Sequence, residues 1–353
     1  MSKKITVTLK PFTYLFSSSR INSVFLLCFL LPQIFMLFIT KSWSNLVILF
    51  STVAASVGAE FFEKLYRKTK TEYDFILAVI QGILTGLFLP ASYPFYAAFL
   101  ITFLTVVCLR YFAGGFADNW INLPCLVVCL CWLTGSAFFP DYQISHEILL
   151  SKNPALALIQ NGTFPTNALD ARITAFFNRS VFSFFGVSIP DGYISLFWDS
   201  HSAIPAFRFN FITLVTSIIL ISIDVVKAMI PGIFVLLYAV LIYFAGPHFY
   251  GSAMHGDLIL GLCTSGLFTA ALFLLQCPGT TPVTAAGKAF YGIFAGVSAF
   301  FIIGAGTSSA GAVFTVLLTN IMSLLIVHAE RIVELQKTQK ILYERIKQLE
   351  ETK

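Results

Sequence analysis

Ten long apolar runs follow one another between residues 21 and 328, each close to the roughly 17–25 residues that a helix needs to cross a bilayer. They predict helices over 21–40, 44–61, 74–92, 94–112, 122–139, 208–226, 229–246, 258–276, 286–304 and 308–328. Most connections are short and polar. The exception is 140–207, a polar, turn-rich stretch holding Asn161-Gly162-Thr163 and Asp191-Gly192. An insertion of that size is functional or disordered, and its aromatic content favours function. The chain thus divides into an N-terminal segment (1–20), a five-helix half (21–139), the loop (140–207), a second five-helix half (208–328) and a charged helical tail (329–353). In the tail Leu335, Leu342, Ile346 and Leu349 make a narrow apolar stripe. It reads either as a solvated helix or as a short docking coil for a partner subunit.

Two interruptions of the apolar pattern point to function. Gly82-Ile-Leu-Thr-Gly-Leu-Phe-Leu-Pro90 breaks the third run, and Cys277-Pro-Gly-Thr-Thr-Pro-Val-Thr284, with Gly287-Lys288 and Tyr291-Gly292, follows the eighth. Broken backbone at membrane depth survives only where protein or a polar cavity satisfies its freed N–H and C=O groups. Breaks at matching places in two halves mark a binding region at a repeat interface. With five spans per half, repeated halves must be inverted. The expectation is a shared interior site supported by Gly86, Pro90, Pro278, Thr281 and Pro282.

Composition agrees: 57% hydrophobic and 11% charged residues, with mean hydropathy +0.84, against about 25% charged in soluble domains. The fold class is an all-α polytopic membrane protein of about ten transmembrane helices in 5+5 spans. Net charge is only +5, and the basic residues gather before span one (Lys3, Lys4, Lys10, Arg20), between spans two and three (Lys64, Arg67, Lys68, Lys70) and after residue 328. These are topology signals, with no nucleic-acid surface, and they place both termini in the cytoplasm. The first run has no small-residue cleavage site after it and reads as a retained anchor. Seven cysteines all lie in or beside apolar spans, against a disulfide framework. Cys125, Cys129 and Cys131 crowd one helix, but their spacing matches no standard metal-ligand pattern.

Soluble-type chemistry is absent. The sequence has no P-loop, G-x-S-x-G, H-E-x-x-H or dinucleotide fingerprint. His248, His255 and Asp257 read as solvated loop residues, and Asp118, Asp224, Lys227 and Lys288 sit at span ends. No metal site and no catalytic side chain is assigned.

Several motifs together resemble a known family. The two broken runs, Ala113-Gly-Gly-Phe-Ala-Asp-Asn-Trp-Ile-Asn122 and Ala312-Val-Phe-Thr-Val-Leu-Leu-Thr-Asn320, are similar in order and spacing to RnfD, a membrane protein of the Rnf ion-translocating electron-transport complex. They are similar also to NqrB, its relative in the sodium-translocating NADH:quinone oxidoreductase. The resemblance covers about 75–328. It implies an inverted repeat like that of urea-transporter-like proteins, and a flavin-carrying subunit of a redox-driven pump, which is a membrane-bound ion-translocating oxidoreductase. It further implies the other subunits of such a complex and the bilayer as partners, and the bacterial cytoplasmic (inner) membrane as location. Thr85, Gly86, Asn119, Asn122, Thr281, Thr284 and Asn320 are then candidates to hold a non-covalent flavin (riboflavin or FMN). The asparagines can equally bond broken-helix backbone.

Two departures qualify the match. The family attaches FMN to a threonine in a Ser-Gly-Ala-Thr-Pro type motif, where this chain has His201-Ser202-Ala203-Ile204-Pro205. Ile204 has no hydroxyl and cannot form the phosphoester, so covalent FMN is not expected. Cys277 stands where the family carries an acidic residue. The reading is a divergent, flavin-associated membrane subunit. The rivals are a channel or carrier for a small neutral solute, and a non-redox assembly subunit.

Overall fold

The computed structural model describes residues 19–67, 73–113, 121–140, 168–186, 188, 191–248, 258–277, 280–305 and 308–351. Expectations for Asn119, Pro278, His255, Asp257, the segment 1–18 and most of the loop before 168 lie outside them. The first half contains α1 (Ser19–Ile39), α2 (Trp43–Arg67), α3 (Tyr73–Leu87), α4 (Phe95–Ala113) and α5 (Leu123–Gly135). The loop contributes α6 (Asp170–Ser180) and α7 (Tyr193–Trp198). In the second half come α8 (Asn210–Ser222), α9 (Met229–Phe244), α10 (Leu258–Cys263) and α11 (Leu267–Thr269), the last passing into a π-helical turn over Ala270–Leu274. After them come α12 (Ala285–Ala299), with a π-helical extension Phe300–Ala305, and α13 (Gly311–Glu351).

Every predicted span therefore has its helix, and no strand occurs among the described residues. The chain is an all-α, multi-pass membrane protein. Stretches in α1, α2, α12 with its extension, and α13 are long and apolar enough to cross a membrane by themselves. Shorter apolar helices make up α3, α4, α5, α8 and α9. At 1.5 Å per residue the 15-residue α3 rises about 22 Å and stops short of a roughly 30 Å hydrocarbon core.

Close packing in the first half is set by glycine. A Cβ at Gly82 would lie 2.5 Å from Val53 Cα, and one at Gly86 2.6 Å from Leu49 Cα. The Gly82-x-x-x-Gly86 face thus lets α3 lie directly on α2. There the Thr52 hydroxyl donates to the Gly82 carbonyl at 2.8 Å. In the second half α9 packs mainly on α12, which lies on α13. The long α13 runs through residue 328 without interruption, so the last span and the tail are one helix of 41 residues.

Ten crossings, as the apolar pattern predicts, would put the loop 140–207 on one membrane face and the end of α13 on the other, here called the loop face and the tail face. The third span of each half ends at its break. Those spans run in opposite directions, so the first break opens on the loop face and the second on the tail face. Inverted halves would give this arrangement, with the two breaks toward opposite faces.

Candidate functional site

At the loop-face break α3 ends at Leu87, ahead of Pro90 and Pro94, which cannot continue a helix. The exposed chain is closed over by residues 199–208. The Ala91 N–H donates to the Ala203 carbonyl at 3.0 Å, and Phe88 meets Phe207 edge-on with centroids 6.4 Å apart. Tyr93 packs edge-on against Phe138 and Phe139. Below this turn, Gly266 has φ of 67° and a Cβ there would fall 2.1 Å from the Phe207 ring, so only glycine fits.

A buried ion pair shapes the 199–208 loop. Arg208 Nε and Nη2 donate to the two carboxylate oxygens of Asp199 at 2.9 and 2.6 Å, a bidentate fork. Arg208 Nη1 reaches Ser42 Oγ, between α1 and α2, at 2.7 Å. The Asp199 carboxylate also accepts from the His201 N–H, with His201 in the left-handed region at φ 52°. Ile204 lies inside this loop, 1% exposed. Its neighbouring hydroxyls are engaged: Ser200 Oγ donates to the Phe207 carbonyl and Ser202 Oγ accepts from the Ile204 N–H.

The tail-face break is polar. Asn122 caps α5, its Oδ1 accepting from the Cys125 N–H at 3.2 Å. Its Nδ2 donates at 2.8 Å to the Leu274 carbonyl, which also accepts from the Cys277 N–H at 3.3 Å as the eighth span ends. Thr280 Oγ1 donates to the Cys277 carbonyl, and Ser323 on α13 donates to the Thr280 carbonyl at 2.6 Å. Tyr291 on α12 donates to Asn320 Oδ1 at 3.1 Å. Asn320 Nδ2 is buried and has no hydrogen-bond partner among the described residues. Thr284 caps α12, and the Glu330 carboxylate accepts from its N–H, its hydroxyl and the Val283 N–H, tying the break to α13.

The sequence-derived candidates therefore fall into two groups. Asn122, Thr281, Thr284 and Asn320 belong to the tail-face break. Thr85 and Gly86 belong to α3, where Thr85 donates to the Gln81 carbonyl of its own helix and Gly86 meets α2. Asn122 and Thr284 already bond backbone, whereas Asn320 Nδ2 has no partner among the described residues.

Three features carried no motif. The first is a polar face of α2: Asn45, Thr52, Ser56 and Glu60 are spaced seven, four and four apart and all are buried. Asn45 Oδ1, Ser56 Oγ, Gln81 Oε1 on α3 and Thr102 Oγ1 on α4 are buried without hydrogen-bond partners among the described residues. That spacing was the available signal. The Asp199–Arg208 pair is the second. The third is Asp170, buried at the start of α6, whose carboxylate accepts from Gly192 N–H at 2.7 Å, Ser195 N–H at 2.6 Å, and the Ser195 and Thr174 hydroxyls. Burial would raise the Asp170 pKa, but these donors together hold it below the ordinary value. The staple sets α6 against α7 over an apolar cavity of about 360 Å³ lined by Phe177, Tyr193, Phe197, Leu262 and Phe268.

A bundle of apolar helices, with one break closed over by its own chain and the other holding the Asn320 amide that has no partner among the described residues, defines a polytopic membrane subunit organised around broken helices. The chain belongs to the NQR2, RnfD, RnfE family, whose model matches residues 6–334. It is a membrane subunit of Rnf/Nqr-type electron-transport complexes, and other subunits of such a complex are its partners. No curated protein matches the chain.

Proposed function

We propose that this chain serves a redox-driven ion-translocating complex in the bacterial cytoplasmic membrane, with the tail face cytoplasmic, and that it holds a non-covalent flavin at the tail-face break. The observation that carries the flavin reading is the free Asn320 amide. It is a buried donor held by Tyr291, and an acceptor on a ring edge or ribityl chain would complete it. A bound flavin supplies one- and two-electron chemistry, and the helices position it and keep water out. Asn122 and Ser323 hold the break in shape around that donor. Absence of a phosphoester at the loop face is supported by buried, hydroxyl-free Ile204 and by the engaged Ser200 and Ser202. The polar face of α2, ending at the buried Glu60 carboxylate, is the route assigned to the moved ion.

The test is flavin recovery from the complex purified gently in its native assembly. Wild-type protein should release flavin on denaturation without in-gel fluorescence of the separated chain. Asn320→Leu should lower recovery while assembly persists. If the wild-type complex contains no flavin, the reading fails and solute flux in reconstituted vesicles becomes the measurement for the carrier rival.

A further inference from the structure

The two faces of α13 have different fates. Residues 312, 313, 316, 319, 320 and 323 are buried against the protein's own bundle, and Glu330 continues that side by clamping Thr284. On another face, Leu318, Ile321, Leu325, Ile332, Leu335 and Leu342 are between 41 and 62% exposed. With His328 and Gln339, also exposed, they occupy alternating three- and four-residue spacings. The sequence continues the register with Ile346 and Leu349. This is an unbroken heptad seam from 318 to 349, about 48 Å long at helical rise. It begins within the membrane and continues past it on one helix.

We propose that this seam is where a second copy of the chain docks, forming a parallel two-stranded coiled coil with its two-fold axis normal to the membrane. Beyond the bilayer the a positions are Ile332, Gln339 and Ile346 and the d positions Leu335, Leu342 and Leu349. Ile at a with Leu at d selects two parallel strands, and a single polar a residue fixes register at some expense of stability. Parallel pairing is also what the bilayer demands, because two copies of one topology send α13 out of the same face. The interface is isologous, the same strip on both copies. In the sequence register no g-to-e pair along the seam combines like charges. The opposite side of α13 stays on its own bundle, so docking requires no rearrangement.

Two differently tagged copies of the full chain, co-expressed in membranes and oxidised, test this directly. Leu342→Cys should give a band at twice the monomer mass that carries both tags, with the 342–342 disulfide located by mass spectrometry. Lys337→Cys, on the opposite side of the tail, and the parent chain should give no such band. Gln339→Ile in the Leu342→Cys background should raise the yield several-fold. Absence of the 342–342 disulfide in correctly inserted chain, or capture of a different polypeptide by Cys at 342, overturns the second-copy assignment.

Discussion

The loop-face break and the tail-face break begin from the same need, a helix that stops inside the bilayer, and meet it differently. At the loop face the freed backbone of residues 88–94 is covered by another part of the chain, and the charges brought in by that cover, Asp199 and Arg208, neutralise each other. At the tail face side-chain amides and hydroxyls from α5, α12 and α13 do the work, and one of them, Asn320 Nδ2, is left over. A buried donor without a partner is costly, roughly 1–3 kcal/mol. Such a group persists where something else completes it. The contrast teaches that a broken helix by itself does not define a ligand site; the proposed flavin site rests on the unspent donor of Asn320.

The sharpest way to break this comparison is at the loop-face ion pair. Arg208→Met leaves Asp199 buried and uncompensated and should destabilise the protein by about 3–5 kcal/mol, read as lower thermal unfolding in detergent. Arg208→Met with Asp199→Asn should recover most of the loss. If Arg208→Met unfolds like wild type, the closed character of this break is wrong.

The next contrast sets two asparagines against each other. Asn122→Leu strands the Cys125 N–H and takes one of two donors from the Leu274 carbonyl, and should lower stability by about 1–3 kcal/mol. Asn320→Leu removes a donor unpaired among the described residues but also strands the buried Tyr291 hydroxyl that donates to Asn320 Oδ1. In a Tyr291→Phe background, where that hydroxyl is gone, Asn320→Leu should leave the unfolding midpoint near that of flavin-free Tyr291→Phe, although flavin recovery falls. Equal stability losses at the two positions would dissolve the distinction between structural and ligand-directed amides.

The smallest effect concerns pH. Asp170 has a folded pKa below its ordinary 3.8, so the unfolded loop binds more protons as acid is added. Its contribution to stability is fully present above that ordinary value and is lost as pH falls through the folded pKa. Hydrogen exchange in 168–198 should rise over that acidic window while the tail-face break stays protected. Asp170→Asn should flatten the dependence.

Much of this architecture is legible in sequence because a bilayer enforces length. An apolar run able to cross is either a span or unstable, and Gly, Pro and Thr mark where it stops. The continuity of α13 past residue 328 also has a sequence basis, as no glycine or proline follows Gly311. Burial was not legible. Glu60 stands at the end of an apolar run and looks interfacial until α3 and α4 cover its face of α2. Asp199 and Arg208 are nine residues apart in an aperiodic loop, and only the fold joins them. The unpaired donor at Asn320 depends on Tyr291 filling one side of the amide and no described residue filling the other.

The contact between Arg208 and Ser42 spans 166 residues, and it bears on how the protein is made. A ribosome adding roughly 5–20 residues per second reaches position 208 some ten to thirty seconds after position 42. Until then the first five helices are in the membrane with the turn after α3 uncovered and Ser42 waiting. The second half must emerge before the first is finished, so the halves mature together, and a chain halted before the sixth span is left as a substrate for membrane quality control.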